Sequence, residues 1–242
     1  VSAASRLART VVLVMALLAA AIAACGDDGF GVSNAVVTAA GRDVAAAAAK
    51  EKAVAAETAL DAGFRRQEAG QIAASVSEFE QAIGADPSNS RAYYGRARAH
   101  LVLGRPRLAL ADLDLAILLD PDDGESYQMR SVVYGALGRQ DLAMEDLDRS
   151  IAADPNAALV HYQRGNLFFE LGKYTLAVRD FSKAIELERS DPSFYANRAM
   201  AFTALGKNRF AARDARTAVW YGADRYEIEI LVEPYRIQTE GS

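Results

Sequence analysis

The apolar and polar positions divide the chain into four stretches. Residues 11–24 hold no charge and no strongly polar side chain, and Arg6 and Arg9 stand before them. Residues 26–41 are small, polar and spotted with glycine. From about 43 to 67 alanine dominates, with Glu and Lys and without proline. Alanine has the best helix propensity, so a long helix is predicted from about Val44. Its apolar face is weakly marked, and a spacer that is only partly helical is the alternative. From residue 56 onward the pattern becomes periodic and predicts short helices in pairs.

The period is constant along the chain. Leu103 and Gly104 recur as Leu137 and Gly138, Leu171 and Gly172, and Leu205 and Gly206. Ala109, Ala143, Ala177 and Ala211 keep the same spacing, as do Asp112, Asp146, Asp180 and Asp214. Pro87, Pro121 and Pro155 follow it. Tyr93, Tyr127, His161 and Tyr195 place a large ring on the first helix of each unit.

These markers resemble the tetratricopeptide family. The resemblance covers units 90–123, 124–157, 158–191 and 192–225, and a degenerate unit at 56–89 where Gly70, Phe79, Ala82 and Pro87 hold the frame. It implies an all-α fold, a right-handed superhelical solenoid of antiparallel helix pairs over residues 44–225. Glycine ends each first helix, since it takes the left-handed conformation at no steric cost. Proline closes the unit, because it cannot continue a helix interior. Pro192 is out of phase with the other prolines while every other marker stays in phase. Asp191 and Pro192 therefore read as a cap and first turn, and the preceding helix is expected to run through Glu188. Residues 226–242 are expected to cover the last apolar face, with Tyr226, Ile228, Ile230, Leu231 and Val232 on a short helix or, by their partial alternation, a strand.

Arg96, Arg130, Arg164 and Arg198 each precede a repeated aspartate by one fixed offset. An antiparallel pair sets arginine on the first helix facing aspartate on the second. The expected pairs are Arg96–Asp112, Arg130–Asp146, Arg164–Asp180 and Arg198–Asp214. A stripe gripping an acidic ligand is one reading. A structural ion pair is the better one, because a ligand contact has no need of a partner at fixed offset. Buried charges persist when paired.

Catalysis finds little support. A reactive site needs a positioned base, nucleophile or electrophile. His100 and His161 occupy different repeat positions on first helices, and His161 takes the place of a tyrosine. No cluster offers the three or four ligands of a zinc site. Asp120, Asp122 and Asp123 lack the alternation and terminal glutamate of a calcium loop and read as turn and cap chemistry. The chain is expected to be no enzyme and to need no cofactor or metal.

In the resembled family first-helix residues line a concave groove that binds protein segments. The repeat frame maps Tyr94 and Arg98 of one unit and Tyr162, Asn166 and Phe169 of another onto it. Packing between repeats is the alternative for each aromatic. One subtype captures acidic peptide ends through a lysine, asparagine and arginine clamp. Asn166 and Asn197 match its asparagines, but Leu60, Tyr94, Leu159 and Gln163 stand where the lysine and arginine belong.

The single cysteine directly follows the first stretch. Ile22, Ala23, Ala24 and Cys25 resemble a bacterial lipobox behind a positive start and a short apolar run. The resemblance implies a signal peptide over 1–24, a lipid at Cys25 and a tether over 25–43. Each buried methylene contributes about 0.8 kcal/mol, so two or three chains hold firmly. An ordinary secretory signal with a chance cysteine, an uncleaved anchor, and a cytoplasmic protein with an apolar arm are the alternatives. Gly26 rather than aspartate follows the cysteine, which by resemblance points to an outer membrane, facing the periplasm, if the organism has one.

Net charge is −5, and loss of Arg6 and Arg9 makes it more negative. Nucleic acid is disfavoured as a partner, because its binding proteins carry basic patches. One cysteine excludes an internal disulfide. The expectation is a lipid-anchored scaffold of the cell envelope that binds a protein or peptide. The alternatives are a homo-oligomer whose groove is filled by its own chain, and a regulatory partner of an envelope enzyme.

Overall fold

A computed structural model describes residues 34–226 and residue 228. The expected signal peptide, Cys25 and most of the C-terminal segment lie outside the described residues. The helices are α1 (Asn34–Glu68), α2 (Ile72–Ala85), α3 (Ser90–Val102), α4 (Pro106–Leu119) and α5 (Gly124–Ala136). They continue as α6 (Gln140–Ala153), α7 (Ala158–Glu170), α8 (Tyr174–Leu187), α9 (Pro192–Ala204) and α10 (Asn208–Trp220). Each odd-numbered helix packs on the next even one, and each pair stacks on its neighbour through α2–α3, α4–α5, α6–α7 and α8–α9. The result is an all-α solenoid of antiparallel pairs.

The turns explain the pairing. Gly70, Gly104, Gly138, Gly172 and Gly206 all have φ between 68° and 72°. After α3 the Arg105 N–H donates to the His100 carbonyl and the Gly104 N–H to the Leu101 carbonyl. This is the Schellman pattern, which satisfies carbonyls the helix end would orphan. The same two bonds close α5, α7 and α9. At the other end of the unit Asn89, Asp123 and Asp191 cap α3, α5 and α9 through their side chains.

Small residues bring the helices close. Phe79 is fully buried between Gly63 of α1 and Gly95 of α3, and a Cβ on either glycine would lie 2.5 Å from its ring. Phe181 meets Gly165 in the same way, at 2.7 Å. The core is a row of small clusters, one per interface, with Leu113, Leu147 and Phe181 in successive second helices.

Two boundaries differ from the sequence reading. Helix α1 begins at Asn34, not near Val44, so the last part of the expected tether is helical. An alanine-rich segment keeps its helical preference whatever face it shows, and Gly41 does not interrupt it. Helix α8 ends at Leu187, and Glu188 is already its extended C-cap, so this helix is no longer than its equivalents. Asp191 caps α9 with Pro192 in the first turn. Beyond α10, Arg225, Tyr226 and Ile228 are helical, and Ile228 is buried against Tyr195, Ala196 and Ala218. That covers the end of the last pair and favours the helical alternative for the start of the capping segment. Among the described residues no helix is long and apolar enough to cross a membrane.

Candidate functional site

The first helices carry a row of polar and aromatic side chains. At its N-terminal end Phe64 of α1 packs edge-on against Phe79, with ring centroids 5.1 Å apart. The guanidinium groups of Arg91 and Arg98, both on α3, stand 5.7 Å from the Phe64 ring. Arg98 is fixed by donating to Gln67 Oε1 at 2.8 Å, while Gln67 donates to the Gly95 carbonyl. Tyr94 lies between them, half-buried, and burial and the nearby Glu125 carboxylate raise its pKa.

These residues open into a hollow of about 330 Å³ lined by Phe64, Ser90, Arg91, Tyr94 and Arg98 on one side. Asp120, Asp123 and Glu125 form the other wall. The cavity thus brings together two arginines over an aromatic ring and three acidic residues. Such a surface suits an extended segment with an apolar anchor and charges of both signs. Tyrosine and arginine are enriched where interfaces gain most of their energy.

Further along, Gln128 of α5 donates to Gln163 of α7 at 3.1 Å. Asn197 of α9 donates to Asn166 Oδ1 at 2.7 Å and to the Tyr162 hydroxyl at 2.9 Å. The Asn166 N–H2 group and the Asn197 carbonyl retain hydrogen-bonding capacity there. The Tyr162 ring packs against Phe194 and Phe181, 4.9 and 5.8 Å away, and so belongs to the inter-repeat packing. Phe169 packs on Tyr174 of α8 at 5.2 Å. The structure therefore groups Tyr94 with Arg98, and Asn166 with Tyr162, while Phe169 turns toward α8 and the cluster around Phe181.

Behind this row runs the ion-pair ladder. Arg96, Arg130, Arg164 and Arg198 each donate from Nε and Nη2 to both oxygens of Asp112, Asp146, Asp180 and Asp214, at 2.6–3.1 Å. The aspartates are buried. Three arginines also reach the previous pair. Arg130 Nη1 donates to Asp114, Arg164 Nη1 to Asp148 and Arg198 Nη1 to Ser182. These hydrogen bonds raise the pKa of Arg130 and Arg164 against the opposing effect of burial. Sequence reasoning missed these second acceptors, although Asp114 and Asp148 sit one period apart.

His161 Nε2 lies 3.0 Å from the Pro155 carbonyl, the same place where the Tyr93 hydroxyl meets the Pro87 carbonyl at 3.3 Å. Each thus ties a first helix to the turn before it. His100 is buried beside Asp112, and burial lowers its pKa. Neither histidine lines the hollow. Among the described residues no group of three His, Cys, Asp or Glu could hold a metal ion. The acidic wall was also missed as a wall: Asp123 reads as a helix cap, which it is, but its turn also faces Tyr94 across the cavity.

The geometry defines a solenoid of helical repeats with a polar and aromatic hollow near its N-terminal end. Family models described as "Tetratricopeptide repeat" match residues 60–126 and 124–157, and one described as "TPR repeat" matches 165–206. Together they span more than half the sequence, and the chain belongs to the tetratricopeptide-repeat family. A 57-residue stretch is 42% identical to DnaJ homolog subfamily C member 3 of Homo sapiens, covering 24% of this chain and 11% of that protein. Solved structures share the fold. PilF of Pseudomonas aeruginosa has a TM-score of 0.67 at 16% identity, covering 79% of this chain and 93% of its own. MamA has 0.61 at 19%, covering 69% and 91%. YrrB, described as a TPR protein with an unusual peptide-binding site, has 0.58 at 16%, covering 76% and 91%.

Proposed function

We propose that this chain is a lipid-anchored scaffold of the bacterial cell envelope that holds a protein segment along its first helices. The observation that carries the binding half is the hollow between Phe64, Arg91, Tyr94, Arg98 and the acidic wall of Asp120, Asp123 and Glu125. Tyr94 and Arg98 hold the anchor of the segment. The Asn166 and Asn197 amides, further along, meet its backbone. Likeness to YrrB, whose description names a peptide-binding site, supports this reading. The anchoring half rests on Ile22, Ala23 and Ala24 before Cys25, and implies an envelope location, facing the periplasm where an outer membrane exists.

Arg91 is exposed and lines the hollow beside Phe64, so it can be replaced without opening the core. A photo-crosslinking side chain at 91 should capture a protein in intact cells, and the Tyr94→Ala change should abolish that adduct. The same probe at Glu145, on the far side of the helix pairs, should not capture it. Equal adducts from both places, or none at 91, would overturn the binding half. Labelling with an alkynyl fatty acid tests the anchor separately: the label should vanish in Cys25→Ser, and a label that persists removes that assignment.

A further inference from the structure

The outward face of α4 is unlike that of its neighbours. Leu108, Leu115, Leu118 and Leu119 are 51%, 41%, 74% and 39% exposed. With exposed Ala111 they recur at helical spacing and form one apolar stripe. The repeat frame puts Glu145 and Arg149 of α6, and Arg179 and Lys183 of α8, where α4 has Ala111 and Leu115. The second helix before it holds Ser77 and Gln81 there. Single exposed apolar side chains recur at the Leu108 and Leu118 places of other second helices, as Leu176 of α8 and Phe210 and Trp220 of α10. Among the described second helices only α4 joins them through Ala111 and Leu115 into one stripe, which is the anatomy of an interface.

The charges on α4 say what fits it. Arg107 stands in its first turn and Asp122 just beyond its C-terminal end, where the next unit has Asp141 and Asn156. A helix dipole favours the reverse arrangement. Within one chain these charges oppose their own helix. Against an identical helix running antiparallel, each arginine meets the other helix's C-terminal end and aspartate, and each aspartate meets an N-terminal end. The mismatch becomes a match on both sides of a two-fold axis.

We infer that the outward face of α4 packs antiparallel against the same face of a second copy of this chain, forming an isologous dimer. In such a contact the same patch serves both subunits. Ala111, between Leu108 and Leu115, falls near the axis, where a small side chain lets the helices approach. Leu108 of one copy then meets Leu115 of the other. The hollow of the first helices stays open in both copies, so the inference does not depend on the proposed binding role.

Sedimentation equilibrium of the full chain at micromolar concentration should give a dimer. The double variant Leu115→Glu, Leu118→Glu should raise the dissociation constant about thirtyfold or more, and at a concentration low enough that the parent is also monomeric the two should melt at the same temperature, since both side chains are exposed. On a Cys25→Ser background, Ala111→Cys should oxidise to a disulfide-linked dimer and Glu145→Cys should not. A monomeric parent overturns the inference, and so does a dimer whose dissociation constant the double variant leaves unchanged. If the parent is monomeric and floats with phosphatidylethanolamine–phosphatidylglycerol vesicles, while the double variant does not, the face belongs to a bilayer and the second-copy contact is wrong.

Discussion

At the residue scale, the ladder separates two kinds of ion pair made by one arginine. Arg164 binds Asp180, whose side chain is 5% exposed, and Asp148, whose side chain is 58% exposed. Desolvation offsets much of the attraction in a buried pair, yet removing one partner leaves a poorly compensated charge. Asp180→Ala should therefore cost about 1–3 kcal/mol in urea unfolding, with Asp148 retaining part of the arginine's bonding. Asp148→Ala should cost about 1 kcal/mol or less. Equal losses for the two would show that burial does not decide their worth. His100 gives a pH test. Burial lowers its pKa from the ordinary 6.5. Below that value the unfolded chain takes up a proton that the folded chain resists, so stability is fully present above pH 6.5 and falls as the pH drops through the window beneath it. Unfolding free energies at pH 7.5 and 5.5, for the parent and for His100→Leu, should show a smaller acid loss in the variant. A parallel loss in both would clear His100 of the effect. The pairing partners of the ladder are legible in the sequence because offset and period are both fixed. The second acceptors are not, because Asp114 and Asp148 give way to Ser182 in the next unit and the regularity fades.

At the element scale, what the sequence shows best is where helices stop. Leu-Gly pairs at a constant spacing identify four left-handed glycines, Gly70 of the degenerate unit is a fifth, and each has the expected positive φ. What it shows worst is where a faceless helix starts. Residues 41–55 of α1 are alanine-rich and almost wholly exposed, so no burial pattern leads back to the beginning of the helix. The glycine–phenylalanine contacts were also hidden, because Gly63 and Gly95 lie far from Phe79 in sequence, at equal distances to either side, and carry no turn signal. The two glycine roles predict different costs. Gly104→Ala forces a side chain into φ +68°, with open space around it, and should lose about 1–2 kcal/mol through backbone strain alone. Gly95→Ala meets no such strain but collides with Phe79 at 2.5 Å. It should lose about 1–3 kcal/mol through overpacking. The companion change Phe79→Leu should relieve the second loss and leave the first untouched. Denaturation of the single and combined variants checks this, and relief of both losses by Phe79→Leu would undo the distinction.

At the scale of the whole molecule, stability is a chain of neighbour contacts. Each pair of helices touches mainly the pairs beside it, and first helices meet first helices along the row. Repeat arrays of this kind lose structure from weak ends, and a terminal unit needs a cover for its outer face. Ile228 supplies part of that cover, buried against Tyr195, Ala196 and Ala218, with Tyr195 stacked on Tyr221 at 5.5 Å. The need for a cap is legible in the sequence from the apolar residues after the last unit, but Ile228's particular seat is not, because it depends on where α10 and its glycine turn aim the chain. Ile228→Ala removes buried methylenes at one end and should cost about 2–4 kcal/mol there. The loss should stay local. Native-state hydrogen exchange should show faster exchange for amides of α9 and α10, while amides of α3 and α4 keep the parent's protection. The hollow formed by Phe64, Tyr94 and the acidic wall sits at the other end of the array, so its binding should survive the change. If protection instead falls evenly from α3 to α10, the molecule unfolds as one unit and the neighbour-contact account fails.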